Sequence, residues 1–167
     1  MANLTADIPI VEYGDIGNAT QPVSLNLKAN TTVYRGSIAI TRSGIAVPAQ
    51  NANLAVSTDI CWGLYEHAGA GTADTGPGIT GGTVDGAVTV EVATGTFFLA
   101  SSTGSDQLGP TTLGKTVYVY DEQTVAATQN TTRPIAGMHV YTDTTRTDAP
   151  GPYAIKLGPI AGGSGSP

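Results

Sequence analysis

Between Ala87 and Thr128 the chain alternates apolar and polar positions twice. In Val88-Thr-Val-Glu-Val92 the three valines face one way and Thr89 and Glu91 the other, the period of a half-buried strand. Gly95 interrupts the run and predicts a bulge or bend; Phe97 to Leu99 then resume it. Val117-Tyr118-Val119-Tyr120 is a second run, built entirely of β-formers. Upstream, Val23, Leu25 and Leu27 alternate in a short strand. Val33 to Ile40 and Ile45 to Val47 predict a hairpin that turns at Arg42-Ser43-Gly44. Ile60 to Tyr65, Arg133 to Tyr141 and Tyr153 to Leu157 bring the set to seven to nine short strands. No ten-residue segment has a helical period of 3.6. The expected fold is all-β, an antiparallel β-sandwich (jelly-roll-like) or a small barrel, with less than about 10% helix. Val90, Val92, Phe97, Leu99, Val117, Val119 and Ile155 are expected in the core.

The breakers divide the chain. Residues 1–22 combine Ile8, Ile10, Val11 and Ile16 with Pro9, Gly14, Gly17 and Pro22, a mixture that makes no self-contained amphipathic element. This segment reads as an extended N-terminal arm whose apolar side chains need another surface, a neighbouring subunit or a second copy of the chain. Ile8, Ile10, Val11 and Ile16 are therefore the candidate partner-binding residues. Residues 23–157 form the β-domain, and 158–167 a Gly/Ser/Pro tail that reads as flexible. Residues 68–82 form a glycine-rich loop of a length usually associated with function or mobility.

Composition narrows the function classes. The 167 residues include 22 glycines and 10 prolines, which favours many turns. The net charge is −6, with seven Lys and Arg. Those seven, Lys28, Arg35, Arg42, Lys115, Arg133, Arg146 and Lys156, are scattered, whereas nucleic-acid binding needs them clustered to displace counterions. No apolar run approaches the roughly 20 residues of a membrane-spanning helix, and no membrane partner is expected. Met1 to Asp7 has no basic region followed by an apolar stretch, so no secretory signal is expected. The single Cys61 cannot form an internal disulfide, which suits synthesis in the cytoplasm.

Candidate chemistry is sparse. His67 stands at the mouth of the glycine loop, and His139 and Cys61 lie in predicted strands. None has the short spacing of a metal or nucleophile site. Asp121-Glu122 could in principle do acid–base work or hold calcium, but directly after a strand they read as a hairpin turn. Gly76 to Gly82 lacks the Lys-Ser/Thr and helix of a phosphate loop, and no Gly-x-Ser-x-Gly elbow is present. The expectation is no enzyme, no catalytic residue, no metal and no cofactor.

A further pattern is carried by Met1-Ala-Asn-Leu-Thr-Ala6, by Val33-Tyr-Arg-Gly-Ser-Ile-Ala-Ile40 with Gly44-Ile-Ala-Val-Pro48, by Val88 to Phe97, by Leu113 to Val125, and by Arg133-Pro-Ile-Ala-Gly137. In these residues the chain resembles the capsid decoration, cement or head-stabilising proteins of tailed bacteriophages and related prophages. The resemblance covers roughly residues 31–140 and the first few. The longer arm, the 68–82 loop, the Pro/Gly-rich C-terminus and the lack of basic residues before Gly95 depart from it. It implies a virion structural protein, made in the bacterial host cytoplasm. Such a protein would bind the outer surface of an icosahedral capsid and stabilise it by bridging major capsid protein subunits, as a homodimer or homotrimer. The alternatives are a carbohydrate- or receptor-binding β-module of a phage tail or pilus, which would want exposed aromatics, and a small hydrolase, which would want a nucleophile–base pair.

Overall fold

The structure is a computed structural model. It describes residues 4, 5, 7, 8, 10, 22–50, 54, 55, 58–66, 78–148 and 150–159. Within these residues twelve strands run in chain order: β1 Val23–Asn26, β2 Thr32–Val33, β3 Ile38–Arg42, β4 Ile45–Pro48, β5 Asp59–Glu66, β6 Ile79–Thr80, β7 Thr89–Ala93, β8 Thr96–Ser101, β9 Thr116–Val119, β10 Thr124–Ala126, β11 Ile135–Thr142 and β12 Tyr153–Leu157. Among the described residues the only helical turns are two 3-10 turns, Gly104–Asp106 and Pro110–Thr112. The fold is all-β, as the alternation predicts, and the barrel alternative is the one adopted by half of the molecule.

Two units carry the architecture. In the first, a five-stranded sheet is ordered β1-β7-β5-β3-β4. Its edges meet at one parallel bridge, Leu27 to Ala46. In the second, β10-β8-β12-β11-β9 close into a barrel. The pair β2–β6 forms a small separate ribbon.

The two units have the same topology. Taken in chain order, β1, β3, β4, β5 and β7 correspond to β8, β9, β10, β11 and β12. In each unit the first strand pairs antiparallel with the fifth, the fifth with the fourth, the fourth with the second, and the second with the third. The third then meets the first in parallel, by the Leu27–Ala46 bridge in one unit and by Thr124–Ala100 and Val125–Ser101 in the other. Apart from a shift between His139 and Tyr141 in β11–β12 that β5–β7 lacks, the registers agree residue by residue. Ala39 lies opposite Gly63 and Ile40 opposite Cys61, as Val117 lies opposite Gly137 and Tyr118 opposite Ile135, so both units are bulged at the same place. Lys28 N–H donates to Ala46 O at 3.0 Å, and its counterpart Ser102 N–H donates to Val125 O at 2.8 Å. The chain thus builds one five-stranded topology twice.

The bulge explains one matched glycine pair. A Cβ on Gly63 would lie 1.9 Å from Ala93 O, and a Cβ on Gly137 would lie 2.0 Å from Lys156 O. In both units the fourth strand approaches the backbone of the fifth too closely for any side chain.

Two departures from the sequence pattern follow from this architecture. Val33 to Ile40 is not one strand. It breaks after Val33, Gly36 takes φ +79°, and pairing resumes at Ile38. The hairpin beyond it does turn at Ser43-Gly44, both with positive φ (51° and 81°), the geometry of a two-residue loop matched to strand twist. The run from Val88 to Leu99 is also not one strand with a bend. Gly95 separates β7 of the first unit from β8 of the second, so the segment crosses from one unit to the other.

The core follows the alternation. Val90, Val92, Phe97, Leu99, Val117, Val119 and Ile155 are all buried. Leu27, Ala39, Ala46, Tyr65, Val90 and Val92 form the interior of the first unit. A second cluster joins Ile38, Ile40, Cys61 and Leu64 of the first unit to Phe97, Leu99, Val117 and Ile155 of the second. The β3–β5 face of the first unit is thus covered by the second, and the two units share one apolar interface.

Candidate partner-binding surface

The arm's described residues lie on the first unit. Ile8 N–H donates to Arg35 O at 2.9 Å, and Arg35 N–H donates to Asp7 Oδ1 at 2.8 Å. Asp7-Ile8 therefore grips the main chain of Arg35 from both sides. Ile8 lies directly over Gly36, where a Cβ would meet Ile8 Cγ1 at 2.5 Å. Ile10 packs partly buried against the shared core. Of the four predicted partner-binding residues, Ile8 and Ile10 sit on the chain's own β-domain, and Val11 and Ile16 lie outside the described residues. Part of the surface the arm needs is supplied by its own chain, because the main chain at Arg35-Gly36 is open to pairing.

A second anchor comes from Glu122. Its side chain is buried, and Oε2 accepts the N–H of Leu4 at 2.6 Å. Oε1 is buried without a partner among the described residues. Burial pushes this carboxyl above the usual range, the Leu4 N–H offsets part of the rise, and Asp121 adds to it. Glu122 O also accepts Ile38 N–H at 2.7 Å, tying the second unit's β9–β10 hairpin to β3. Asp121-Glu122 is the turn the sequence predicts, with Gln123 N–H donating to Asp121 Oδ1. Sequence reasoning missed the burial of Glu122, since a glutamate in a hairpin turn ordinarily points to water.

The other candidate residues are not brought together. Cys61 is buried, and burial pushes its thiol up to about 12, which leaves it protonated and unreactive. His139 is fully buried inside the second unit. Its Nε2 lies 3.0 Å from Tyr141 O and 2.9 Å from Thr142 Oγ1, while Nδ1 faces Thr112 Oγ1 at 2.9 Å. A carbonyl only accepts, so Nε2 carries the proton and Nδ1 is left as an acceptor, with the single Thr112 hydroxyl proton placed between Nδ1 and Gly109 O at 2.8 Å. Burial lowers the His139 pKa, against the opposing hydrogen bonds of Tyr141 and Thr112. The ring is held as a neutral structural group. His67 and residues 68–77 of the glycine loop lie outside the described residues. Among the described residues no three of His, Cys, Asp and Glu are grouped to hold a metal.

Nor do the aromatics among the described residues form a platform. Trp62 Nε1 donates to Thr41 Oγ1, Tyr65 is inside the first unit, and the Arg133 guanidinium covers Tyr120 at 4.6 Å. A shallow cleft of about 430 Å³ opens beside Leu4, with Lys28, Tyr34, Arg42 and Pro48 among its lining residues. Arg42 is bound there in a bidentate pair with Asp59, both contacts 2.8 Å.

What the surface does offer is apolar. Leu113 is 46%, Tyr141 42% and Met138 37% exposed. Gly114 N–H donates to His139 O, which sets Leu113-Gly114 alongside the stretch of β11 that carries Met138 and Tyr141. No signal in the sequence marks these residues as a group. Comparison with family models, with curated proteins and with solved structures returns no match.

Proposed function

We propose that this chain is a virion structural protein that binds the outer surface of an icosahedral phage capsid and stabilises it by bridging major capsid protein subunits. The resemblance described for residues 31–140 supports this reading. The observation that carries it is the arm, whose described residues are fastened to the β-domain by hydrogen bonds from Leu4 N–H to Glu122 Oε2, from Arg35 N–H to Asp7 Oδ1 and from Ile8 N–H to Arg35 O. A chain that pairs extended segments across open turns is suited to clamping, which needs interface area and no active site. At about 25 cal/mol per Å², apolar area supplies the driving force, much of it offset by ordering costs. A carbohydrate-binding module would want a cluster of exposed aromatics, and among the described tyrosines Tyr141 alone is exposed.

The test adds purified protein to heads that lack it and measures occupancy after sedimentation. Full-length protein is expected to bind in a fixed ratio to the major capsid protein. Deletion of residues 1–22 is expected to leave the β-domain folded and to weaken binding strongly, while deletion of 162–167 has little effect. No binding by the full-length protein to any heads would sink the proposal. Equal binding without the arm would place the clamp in the β-domain alone.

A further inference from the structure

The repeated topology creates two equivalent sites for an extended segment, and one is left open by the described residues. Arg35-Gly36 of the first unit corresponds to Leu113-Gly114 of the second. Gly36 and Gly114 have the same backbone conformation, φ +79° and +73°. Gly36 N–H donates to Tyr65 O, and Gly114 N–H donates to His139 O, its counterpart. At the first site Asp7-Ile8 covers the glycine and satisfies both the N–H and the C=O of Arg35. At the second, a Cβ added to Gly114 would meet no atom within 4 Å, and beyond the adjoining 3-10 turn Pro110–Thr112 the N–H and C=O of Leu113 have no partner among the described residues. Leu113, Gly114 and Lys115 are all exposed within one chain.

The sequence holds a second copy of the ligand as well. The arm contains two Asp-Ile dipeptides, Asp7-Ile8 and Asp15-Ile16, eight residues apart. The first occupies the first site. Residues 11–21, which contain the second, lie outside the described part, between Ile10 and Pro22. Extended, such a stretch spans at most roughly 3.3–3.6 Å per residue, enough to reach an adjacent molecule. We propose that Leu113-Gly114 is a docking site for the Asp15-Ile16 segment of a second copy of this chain. The Asp15 carboxylate accepts the Leu113 N–H, the Ile16 N–H donates to Leu113 O, and the Ile16 side chain lies over Gly114 beside Met138. This adds a short extended segment to an exposed main chain, with one apolar residue setting the fit. The inference stands apart from the capsid reading, because it concerns the free protein.

The experiment is sedimentation equilibrium of the full-length chain, without heads, over a range of concentrations. The wild type is expected to associate. Leu113→Glu and Ile16→Asp are each expected to raise the dissociation constant about tenfold or more, with far-UV circular dichroism unchanged. As a direct probe, Leu113→Cys and Ile16→Cys proteins are mixed under mild oxidation by oxidised glutathione, the native Cys61 being buried. An intermolecular disulfide between the two variants is expected. A wild type that stays monomeric, or association untouched by both substitutions, overturns the proposal. Loss of association in Leu113→Glu alone overturns the assignment of Asp15-Ile16 and indicates a different segment at the site.

Discussion

The two units share a topology and a register but are sealed differently. The first closes on a single parallel bridge and relies on the arm, the β2–β6 ribbon and the second unit to cover it. The second closes into a complete barrel and leaves its counterpart of the arm site bare. Their interiors differ in the same way. Tyr65 and His139 occupy equivalent positions, each buried and each donating a proton to main-chain carbonyl oxygen. Tyr65 Oη is placed to donate to Val47 O at 2.9 Å and Ile40 O at 3.3 Å, within its own unit's closing strands. His139 Nε2 instead holds Tyr141 O, beyond the register shift in β11. One backbone plan therefore tolerates different polar plugs, provided that each buried donor finds an acceptor. What it does not tolerate is a side chain at the shared bulge.

That difference orders the expected effects. The largest comes from Gly63→Val or Gly137→Val. Each places atoms inside van der Waals distance of a backbone carbonyl that cannot move without breaking the β5–β7 or β11–β12 pairing. Each is expected to cost about 3 kcal/mol or more, read as insoluble protein or a collapse in thermal midpoint. If either variant melts like wild type, the equivalence of the two bulges is wrong. Phe97→Ala, in the core shared by the units, follows at about 3–5 kcal/mol. An unchanged melting temperature would remove Phe97 from that core.

Tyr65→Phe and His139 separate the units by pH. Tyr65→Phe removes one donor from two carbonyls and is expected to cost about 0.5–1.5 kcal/mol, evenly between pH 5 and 7. His139 has a folded-state pKa below its unfolded value of about 6.5. The unfolded chain thus takes up the proton first, and stability falls as pH drops below about 6.5. Denaturant unfolding at pH 7 and pH 5 should show this loss in the wild type, and a His139→Gln variant should flatten it. A Glu122→Gln protein equally stable at both pH values would contradict the neutral assignment.

The smallest effect is expected from Glu122→Gln. Its carboxyl is raised, so the folded state holds the proton more tightly and the ionised form is a burden at neutral pH. That burden is relieved as pH falls, opposite in sign to His139. Glutamine keeps an acceptor for Leu4 N–H, so Glu122→Gln should leave stability at pH 7 equal or slightly higher. Glu122→Ala should free Leu4, measured as faster amide exchange there. A clear loss of stability in Glu122→Gln would mean that the charge itself is needed.

The chain's local pattern determined the strands and which side of each is buried. Side chains alternate across a strand whatever its partners, so Val90, Val92, Val117, Val119 and Ile155 announce their faces without reference to the rest of the molecule. The turn at Ser43-Gly44 is local in the same sense, because positive φ selects its residues. The pairing was decided only by the tertiary structure. The glycines that mark the repeated topology, Gly36 and Gly114, Gly63 and Gly137, Gly95 and Gly158, are offset by 78, 74 and 63 residues. Loops of unequal length between them erase any fixed period. The strand positions between them differ in residue type because packing constrains volume more than identity. For the same reason the burial of Glu122 and the openness of Leu113 had no local signature. Each depends on what another part of the chain lays over it, the arm in the first case and no part of the described chain in the second.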